Sequence, residues 1–181
     1  MSEIFANLKI GESLEMRGPL GDVSIDLPEF EDFAKIGRGP NFKTNYKEMK
    51  YISMIAGGTG ITPMLQILQS DAAQVSDVEF CLLFANRMLG DIPFFKELMK
   101  LKQNNKNINI FFYLSQGPLP PKNIPECNIE IGRIGVEHLK QVIFPPGEES
   151  ALLVCGPEDF ETSMCAIGEG IGFLKDNIYV F

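Results

Sequence analysis

The chain has 181 residues, of which 45% are hydrophobic, and its 16 basic and 24 acidic residues give a formal net charge of −8. A chain of this length buries one full hydrophobic core, so we expect one domain with an appendage and not two complete domains. The acidic balance argues against nucleic acid or an anionic membrane as the main partner, because both repel a negative surface.

The cysteines and the apolar runs narrow the class of protein further. The four cysteines show no Cys-x-x-Cys spacing, and Cys81 and Cys155 lie in apolar runs, where thiols usually pack as small hydrophobic groups. We therefore expect neither a disulfide framework nor a metal site. No run reaches the roughly 18 apolar residues that span a bilayer, and the N-terminus lacks the basic start of a signal peptide. These features predict a soluble, cytoplasmic protein, which we expect to be a monomer.

The first part of the chain, residues 1–47, holds too little to close a core of its own. Residues 2–8 predict a short amphipathic helix and residues 13–17 a polar strand, within a segment rich in glycine and proline. We interpret the acidic stretch at residues 22–32 as a solvated surface loop.

Residues 48–181 alternate short apolar runs with helix-like segments, which is typical of a βαβ array. The predicted strands lie at residues 51–56, 78–85, 108–114, 151–155 and 177–181. The predicted helices lie at residues 63–72, 91–102, 136–142 and 158–167. The predicted fold class is therefore α/β, with a doubly wound parallel sheet of five strands.

A glycine-rich turn follows the first of these strands. Gly57, Gly58 and Gly60 precede Thr62 and Pro63, which predict a helix start with the threonine as N-cap and the proline at the first helical position. Glycines let the backbone approach a pyrophosphate closely, and a helix N-terminus favours its negative charge. Such a turn also occurs for tightness alone, but the flanking strand and helix favour ligand binding.

Two familiar phosphate sites do not fit this turn. A P-loop needs Lys and Ser/Thr after its final glycine, whereas this chain has Ile61, Thr62 and Pro63 there, which excludes an NTPase. A standard Rossmann site needs a third glycine where Pro63 stands, and an acidic residue where the second strand ends in Asn86 and Arg87. An ordinary dehydrogenase therefore fits poorly.

Two motifs carry a resemblance to a known family. Gly58-x-Gly60-x-x-Pro63 and, far downstream, Cys155-Gly156-Pro157 resemble the paired motifs of the ferredoxin–NADP reductase superfamily, and the surrounding sequence is most similar to the NADH–cytochrome b5 reductases. The resemblance covers nearly the whole chain. The other stretches that agree are Arg17-Gly18-Pro19, Met54-Ile55-Ala56, Leu82-Leu83-Phe84-Ala85-Asn86, Asp91-Ile92 and Val180-Phe181.

The resemblance implies a flavin-binding antiparallel barrel followed by a parallel nucleotide domain, with FAD and the nicotinamide meeting between them. Residues 1–47 would then be the C-terminal remnant of the barrel and residues 48–181 the NAD(P)-binding domain. Ser2 matches the end of the family's Gly-x-Met-Ser segment, which holds the FAD pyrophosphate. The family's Arg-x-Tyr-Ser/Thr flavin motif has no counterpart in the sequence. We therefore expect a truncated chain that begins inside the flavin domain and retains FAD weakly or not at all.

The implied activity is transfer of hydride from NADH to FAD, and then of single electrons to a haem protein such as cytochrome b5. Full-length relatives often carry a membrane anchor upstream. Two alternatives stay open: a nucleotide-binding module without independent catalysis, and a reductase domain for another acceptor, as in nitrate reductases or oxygenases. Hydride transfer needs no acid or base from the protein, because the cofactors carry the chemistry and the protein positions them.

By the same resemblance, three residues are candidate catalytic positions. Thr59 and Thr62 would supply hydroxyl contacts where flavin and nicotinamide meet, and the Cys155 thiol would help to place the nicotinamide. Cys155 also ends a predicted strand, at the edge where open α/β sheets bind ligands. The candidate cofactor-binding residues are Ser2, Gly57, Gly58, Gly60, Pro63, Ser115, Gln116, Gly156, Pro157 and Phe160.

The nucleotide preference depends on the loop after the third strand. Ser115 stands where b5 reductases typically have an acidic residue that repels the 2′-phosphate of NADPH. Gln116 adds no positive charge, although Arg87 is a candidate for the adenosine end. We expect NADH, with NADPH as the alternative.

Three further side chains have simpler interpretations. Phe160 is expected either on the adenine side of the cleft or in the core. His138, the single histidine, lies in an amphipathic segment and is interpreted as a solvent-facing helix residue. Phe94 and Phe95 are interpreted as core residues.

Overall fold

The computed structural model describes residues 7–15, 23–28, 32–39, 46–75, 77–117 and 128–181. These residues form a three-stranded antiparallel sheet and a six-stranded parallel sheet. The small sheet has the order β1-β2-β3, and its strands are β1 (Val23–Asp26), β2 (Ala34–Arg38) and β3 (Tyr46–Met49).

The parallel sheet has the order β7-β6-β5-β4-β8-β9. Its strands are β4 (Tyr51–Gly57), β5 (Glu79–Asn86), β6 (Ile108–Leu114), β7 (Asn128–Ile131), β8 (Ser150–Cys155) and β9 (Ile178–Val180). The helices are α1 (Ile61–Leu68), α2 (Asp71–Val75), α3 (Phe95–Asn104), α4 (Val136–Val142) and α5 (Glu158–Ile171). No helix in the described part of the chain is long and apolar enough to cross a membrane.

The central strands are apolar on both faces because helices cover both sides of the sheet. Side chains of alternating strand positions divide into two buried clusters, one that includes Met54 and Phe84 and one that includes Ile55 and Leu83. One polar exception is Ser53, which is fully buried and whose hydroxyl accepts a hydrogen bond from the Phe144 amide at 3.2 Å. A buried polar group is tolerated here because its hydrogen bond is satisfied.

The small sheet packs against the large one through its apolar face and one cation. Ala34, Ile36 and Met49 are fully buried and belong to the same cluster as Met54. Arg38 of β2 donates to the main-chain oxygen of Ile178, and its guanidinium lies 5.0 Å from the ring centroid of Tyr179. The two sheets therefore share one core.

The predicted α/β class is confirmed, but the predicted number of strands is wrong. The five predicted strands are all present, and the described residues contain a sixth, β7, at the sheet edge beside β6. β7 has only four residues, Asn128–Ile131, and the side chains of three of them are exposed. A short edge strand carries little apolar signal, so its pairing with β6 is set by tertiary contacts.

The first helix differs from its prediction. The structure has α1 at Ile61–Leu68 and a separate α2, where the sequence predicted one helix at residues 63–72. Ser70 makes the break, because its hydroxyl donates to the Ile67 carbonyl at 2.7 Å and accepts from the Ala73 amide at 3.2 Å. Thr62 as N-cap is also wrong: Gly60 precedes the helix, and the Thr62 hydroxyl donates to the Thr59 carbonyl at 3.2 Å.

Three other boundaries are corrected. The helix predicted at residues 91–102 begins at Phe95, because Phe94 has a left-handed backbone with φ 56°. Phe94 is 45% exposed, so its interpretation as a core residue is wrong, whereas Phe95 packs 5.2 Å from Phe112. α5 runs four residues past its predicted end to a left-handed Gly172. Residues 13–15 are not a strand, and the rest of that prediction and most of the helix at residues 2–8 lie outside the described residues.

Asn177, just before β9, forms hydrogen bonds to several chain segments. It is 1% exposed, and its amide nitrogen donates to the carbonyls of Gly147 and Ser150, each at 3.2 Å. Its amide oxygen accepts from the Lys47 ammonium of β3 at 2.7 Å. One buried amide therefore joins the loop before β8, the strand β9 and the small sheet.

We expect Asn177→Asp to lower the free energy of unfolding by about 2–4 kcal/mol, since it places a carboxylate against two buried carbonyls. Urea unfolding followed by circular dichroism measures this change. Lys47→Met is the control and should cost less than about 1 kcal/mol, because the lysine is exposed. Equal losses in the two variants would contradict the assignment of Asn177 as the buried link.

Candidate nucleotide-binding site

A cavity of about 790 Å³ opens at the C-terminal ends of β4, β5 and β6, beside the start of α5. This volume is within the range of about 300–1,000 Å³ that is usual for small-molecule sites. The strand order reverses between β4 and β8, and open α/β sheets bind ligands at such a switch point. The lining residues are Gly57, Gly58, Thr59, Ala85, Asn86, Arg87, Asp91, Tyr113, Ser115, Gly132, Arg133, Ile134, Pro157, Asp159, Phe160, Ser163 and Met164.

The glycines of the turn after β4 have different physical roles. Gly58 has φ +55°, and a Cβ built on it would meet no atom within 4 Å, so its backbone faces open space in the cavity wall. Only a residue that tolerates a left-handed backbone suits this position, and the missing side chain leaves room for a phosphate. The turn leads directly into the N-terminus of α1, whose dipole favours negative charge.

Gly60 allows the turn after β4 to pack closely against the end of β8. A Cβ on Gly60 would lie 2.2 Å from the carbonyl oxygen of Cys155 and 2.8 Å from the amide nitrogen of Gly156. Both atoms are backbone and cannot move aside. The turn after β4 and the end of β8 therefore approach each other so closely that residue 60 must be glycine.

Gly57 and Gly156 make room for an aromatic ring. A Cβ on Gly57 would lie 3.1 Å from Cδ1 of Phe160, and a Cβ on Gly156 would lie 2.7 Å from the same atom. Phe160 is half-buried, packs against the cluster that contains Ile55 and also lines the cavity. Phe160 therefore packs beside the glycine turn and borders the cavity with the same ring.

Cys155 ends β8 and is half-buried. Its sulfur lies 3.8 Å from the main-chain oxygen of Phe181, and its carbonyl faces Gly60. Burial, and then the negative charge of Glu161, raise the pKa of the Cys155 thiol. The side chain is therefore a neutral thiol near pH 7, which suits a positioning contact and not a nucleophile.

Thr59, Thr62 and Pro63 lie at the start of α1. Thr59 lines the cavity, whereas Thr62 is exposed on the first turn of the helix and does not line it. Pro63 is the third residue of the helix. An amide at this position would have no intrahelical partner, so a proline costs no hydrogen bond there. Ser2 lies outside the described residues.

The far end of the cavity lies over β5 and β6. Ser115 is exposed and lines it, and its amide donates to the Asn86 carbonyl at 3.0 Å. The Gln116 amide donates to the Arg87 carbonyl at 2.8 Å, but the Gln116 side chain is not part of the lining. The two loops that carry these residues are thus held together by backbone hydrogen bonds.

Charged side chains of both signs surround this end. Arg87 and Arg133 line the cavity, and within the described residues neither forms an ion pair. Asp91 and Asp159 line it as well. The arginines give the cavity local cations in a chain that is acidic as a whole.

Two lining residues that were not among the predicted site residues carry unpaired polar atoms. Among the described residues, the amide nitrogen of Asn86 and the hydroxyl of Tyr113 are buried without a hydrogen-bond partner. Burial, the charge of Glu130 and nearby Cys81 raise the pKa of Tyr113 to about 12, so this hydroxyl keeps its proton. Orphaned buried polar atoms at a cavity wall fit a site completed by a polar ligand. Their positions at the ends of β5 and β6 are the sequence signal that could have identified them.

His138 lies on a helix as predicted and its side chain is 34% exposed, but the side chain also contacts the neighbouring loop. Its Nδ1 accepts the Gly135 amide at 3.0 Å, and its Nε2 lies 3.7 Å from a Glu130 carboxylate oxygen. The imidazole also stacks edge-on against Tyr113, with ring centroids 5.2 Å apart. The side chain therefore caps the start of α4 and braces the loop that borders the cavity.

A parallel sheet with a glycine turn and a cavity at its switch point defines a nucleotide-binding α/β domain. Residues 54–166, which are more than half of the chain, match the family model of the oxidoreductase NAD-binding domain. The chain belongs to this family.

Known relatives confirm the resemblance to the NADH–cytochrome b5 reductases. NADH-cytochrome b5 reductase 2 of Mus musculus is 30% identical over 184 residues, which cover 100% of this chain and 63% of the relative. NADH-cytochrome b5 reductase 1 of Dictyostelium discoideum is 31% identical over 182 residues, which cover 100% of this chain and 55% of the relative. The chain thus spans less than two thirds of the length of these relatives.

A solved structure extends the similarity to the fold. The cytochrome b5 reductase domain of Ulva prolifera nitrate reductase has a TM-score of 0.77 and 26% sequence identity. The match covers 99% of this chain and 64% of that chain.

We expect Gly60→Ala to destabilise the chain by about 3 kcal/mol and to abolish nucleotide binding, because the added Cβ forces the turn away from Cys155. Urea unfolding and NADH titration measure the two effects. Gly170→Ala is the matched control: its Cβ meets nothing within 4 Å on α5, so the variant should be up to about 1 kcal/mol more stable. A Gly60→Ala variant as stable as the native chain would refute the close contact.

Proposed function

We propose that this chain is the nucleotide-binding part of a flavoprotein reductase that takes hydride from NADH, passes it to FAD, and delivers electrons to a haem protein such as cytochrome b5. The observation that carries the proposal is the cavity at the switch point, which is lined by the turn at Gly57, Gly58 and Thr59 and by Pro157 of the Cys155-Gly156-Pro157 segment. Family membership and the printed names of the relatives support it.

The residues present fit a dinucleotide. The open backbone at Gly58 and the N-terminus of α1 would hold the pyrophosphate. Bound NADH supplies a hydride and bound FAD accepts it. Thr59 lines the cavity and would border the nicotinamide. The family resemblance assigns Thr62 and the Cys155 thiol to the same contact, although neither lines the cavity. The chain would contribute orientation and exclusion of water.

The far end of the cavity would hold the adenosine. Ser115 would donate to a ribose hydroxyl and the Asn86 amide to a ligand oxygen, which is supported by the position of Ser115 in the cavity lining and by the unpaired amide nitrogen of Asn86. We propose NADH as the main nucleotide, with NADPH as the alternative because Ser115 carries no negative charge.

The proposed acceptor is a haem protein, and a reductase domain for another acceptor is the variant of this proposal. The similarity to a domain of Ulva prolifera nitrate reductase supports that variant. The net charge of −8 does not by itself attract an acidic cytochrome, so any cationic docking groups would have to be local.

We expect the purified 181-residue chain to bind NADH and, with added FAD, to reduce ferricyanide. Fluorescence titration measures binding, and the absorbance of ferricyanide with the visible spectrum of the flavin measures reduction. Reduction that depends on both NADH and FAD would support the enzyme. A colourless preparation that binds no NADH and reduces nothing with both cofactors present would refute it.

A second candidate function is a nucleotide-binding module without independent catalysis. The favouring observation is that the chain spans 63% or less of the curated relatives reported above, so part of their length has no counterpart in it. NADH binding without ferricyanide reduction, even in excess FAD, would favour this function.

We expect Ser115→Asp to weaken NADPH binding by about tenfold or more and to leave NADH binding nearly unchanged, because a carboxylate repels the 2′-phosphate. Titration of both nucleotides on both proteins measures the ratio. Gln116→Glu is the matched control and should have a smaller effect, since its side chain lies outside the cavity lining. Equal weakening of both nucleotides would contradict a ribose site at Ser115, and clearly tighter NADPH binding by the native chain would overturn the preference for NADH.

A further inference from the structure

A carboxylate on the first turn of α5 holds the segment that follows β8. Oε1 of Glu161 accepts the amide hydrogen of Gly156 at 2.9 Å, in a half-buried position. Hydrogen bonds from an amide to a charged carboxylate are stronger than those between neutral groups. The N-terminus of α5 further favours a negative charge at this position.

This hydrogen bond is the third constraint on the segment Cys155-Gly156, which two close contacts also hold. The carbonyl of Cys155 faces Gly60 with no room for a Cβ, and Gly156 lies equally close to the ring of Phe160. Glu161 holds the remaining amide from the helix side. The position of the Cys155-Gly156 backbone is therefore set by one backbone contact, one contact with an aromatic ring and one carboxylate.

The same carboxylate also acts on the nearby thiols. Burial and the charge of Glu161 raise the pKa of Cys155, which is otherwise faced by the main-chain oxygen of Phe181. The pKa of Cys165, which lies on α5 like Glu161, depends on more charged groups. Burial and the charges of Glu161 and Glu169 raise the pKa of Cys165, whereas Arg38 of β2 lowers it.

We infer that Glu161 is a positioning residue whose carboxylate fixes the Cys155-Gly156-Pro157 segment through Gly156 and places a negative charge behind this rim of the cavity. Burial, and then this charge, raise the pKa of the Cys155 thiol. The charge also favours a cationic ring at the rim over a neutral one, so the oxidised nucleotide should gain more from Glu161 than the reduced one. Only this last consequence rests on the proposed function.

The first test compares two substitutions at Glu161 in the 181-residue chain. Glu161→Gln keeps an oxygen acceptor but removes the charge, and Glu161→Leu removes both. Amide hydrogen exchange at Gly156 should speed up by about tenfold or more in the leucine variant and change little in the glutamine variant. Unchanged exchange at Gly156 in a folded leucine variant would overturn the positioning role.

The second test uses thiol alkylation by iodoacetamide across pH 7–10, with the modified cysteines identified by mass spectrometry. Below the pKa, Glu161→Gln should alkylate Cys155 faster, on the order of threefold, because loss of the charge lowers the pKa of the thiol. Glu169→Gln is the matched control and should speed alkylation of Cys165 alone. Cys81 is buried, and burial raises its pKa to about 12, so it reports unfolding if it reacts.

An unchanged alkylation rate at Cys155 in Glu161→Gln, together with faster Cys165 in Glu169→Gln, would overturn the electrostatic part of the inference. Titration of NAD⁺ and NADH then measures whether the charge of Glu161 affects the affinity for each nucleotide. Glu161→Gln should weaken NAD⁺ several-fold more than NADH, whereas a purely structural role would weaken both alike. If the native chain binds neither nucleotide, the proposed function fails, and the exchange and alkylation results still decide the role of Glu161.

Discussion

The site depends on one backbone contact, the approach of Gly60 to the carbonyl of Cys155. β4 and β8 are neighbours in the sheet, and their C-terminal ends carry the two segments that border the candidate site. Because no side chain fits between these segments, the turn after β4 cannot move toward β8. The open face of Gly58 is thereby held toward the cavity, and the first turn of α1 is aligned behind it.

The same contact explains why small residues collect at this point. Gly57 and Gly156 both lie against the Cδ1–Cε1 edge of the Phe160 ring, which fills the space beside the turn. Any larger residue at these positions would push the ring into the cavity or away from the sheet. The glycines of the motif therefore have different roles. Gly58 leaves space for a ligand, whereas Gly57, Gly60 and Gly156 allow the turn after β4, the end of β8 and the start of α5 to pack together.

Much of this architecture could be predicted from the sequence, because the central strands are continuous apolar runs and the glycine turn has a clear strand before it. What could not be predicted depends on contacts between distant segments. The hydroxyl of Ser70 ends α1 early, the short edge strand β7 exists through its pairing with β6, and His138 turns back onto Gly135. The unpaired atoms of Asn86 and Tyr113 become visible only once the cavity wall is assembled. Which of the lining residues contact a nucleotide stays a prediction.

Charges of both signs surround the cavity, so its electrostatics depend on which part of a ligand meets which group. Arg87 and Arg133 line the cavity together with Asp91 and Asp159, whereas Glu161 lies outside the lining, where its carboxylate accepts the Gly156 amide. The proposed nucleotide is anionic over most of its length, so the two arginines are the groups that would attract it, while the carboxylates would repel it. The backbone contact between Gly60 and Cys155 acts in a different way, because it sets the spacing of the two chain segments beside the cavity and not its charge. Under the proposed function, geometry would therefore come from this contact and attraction from the arginines.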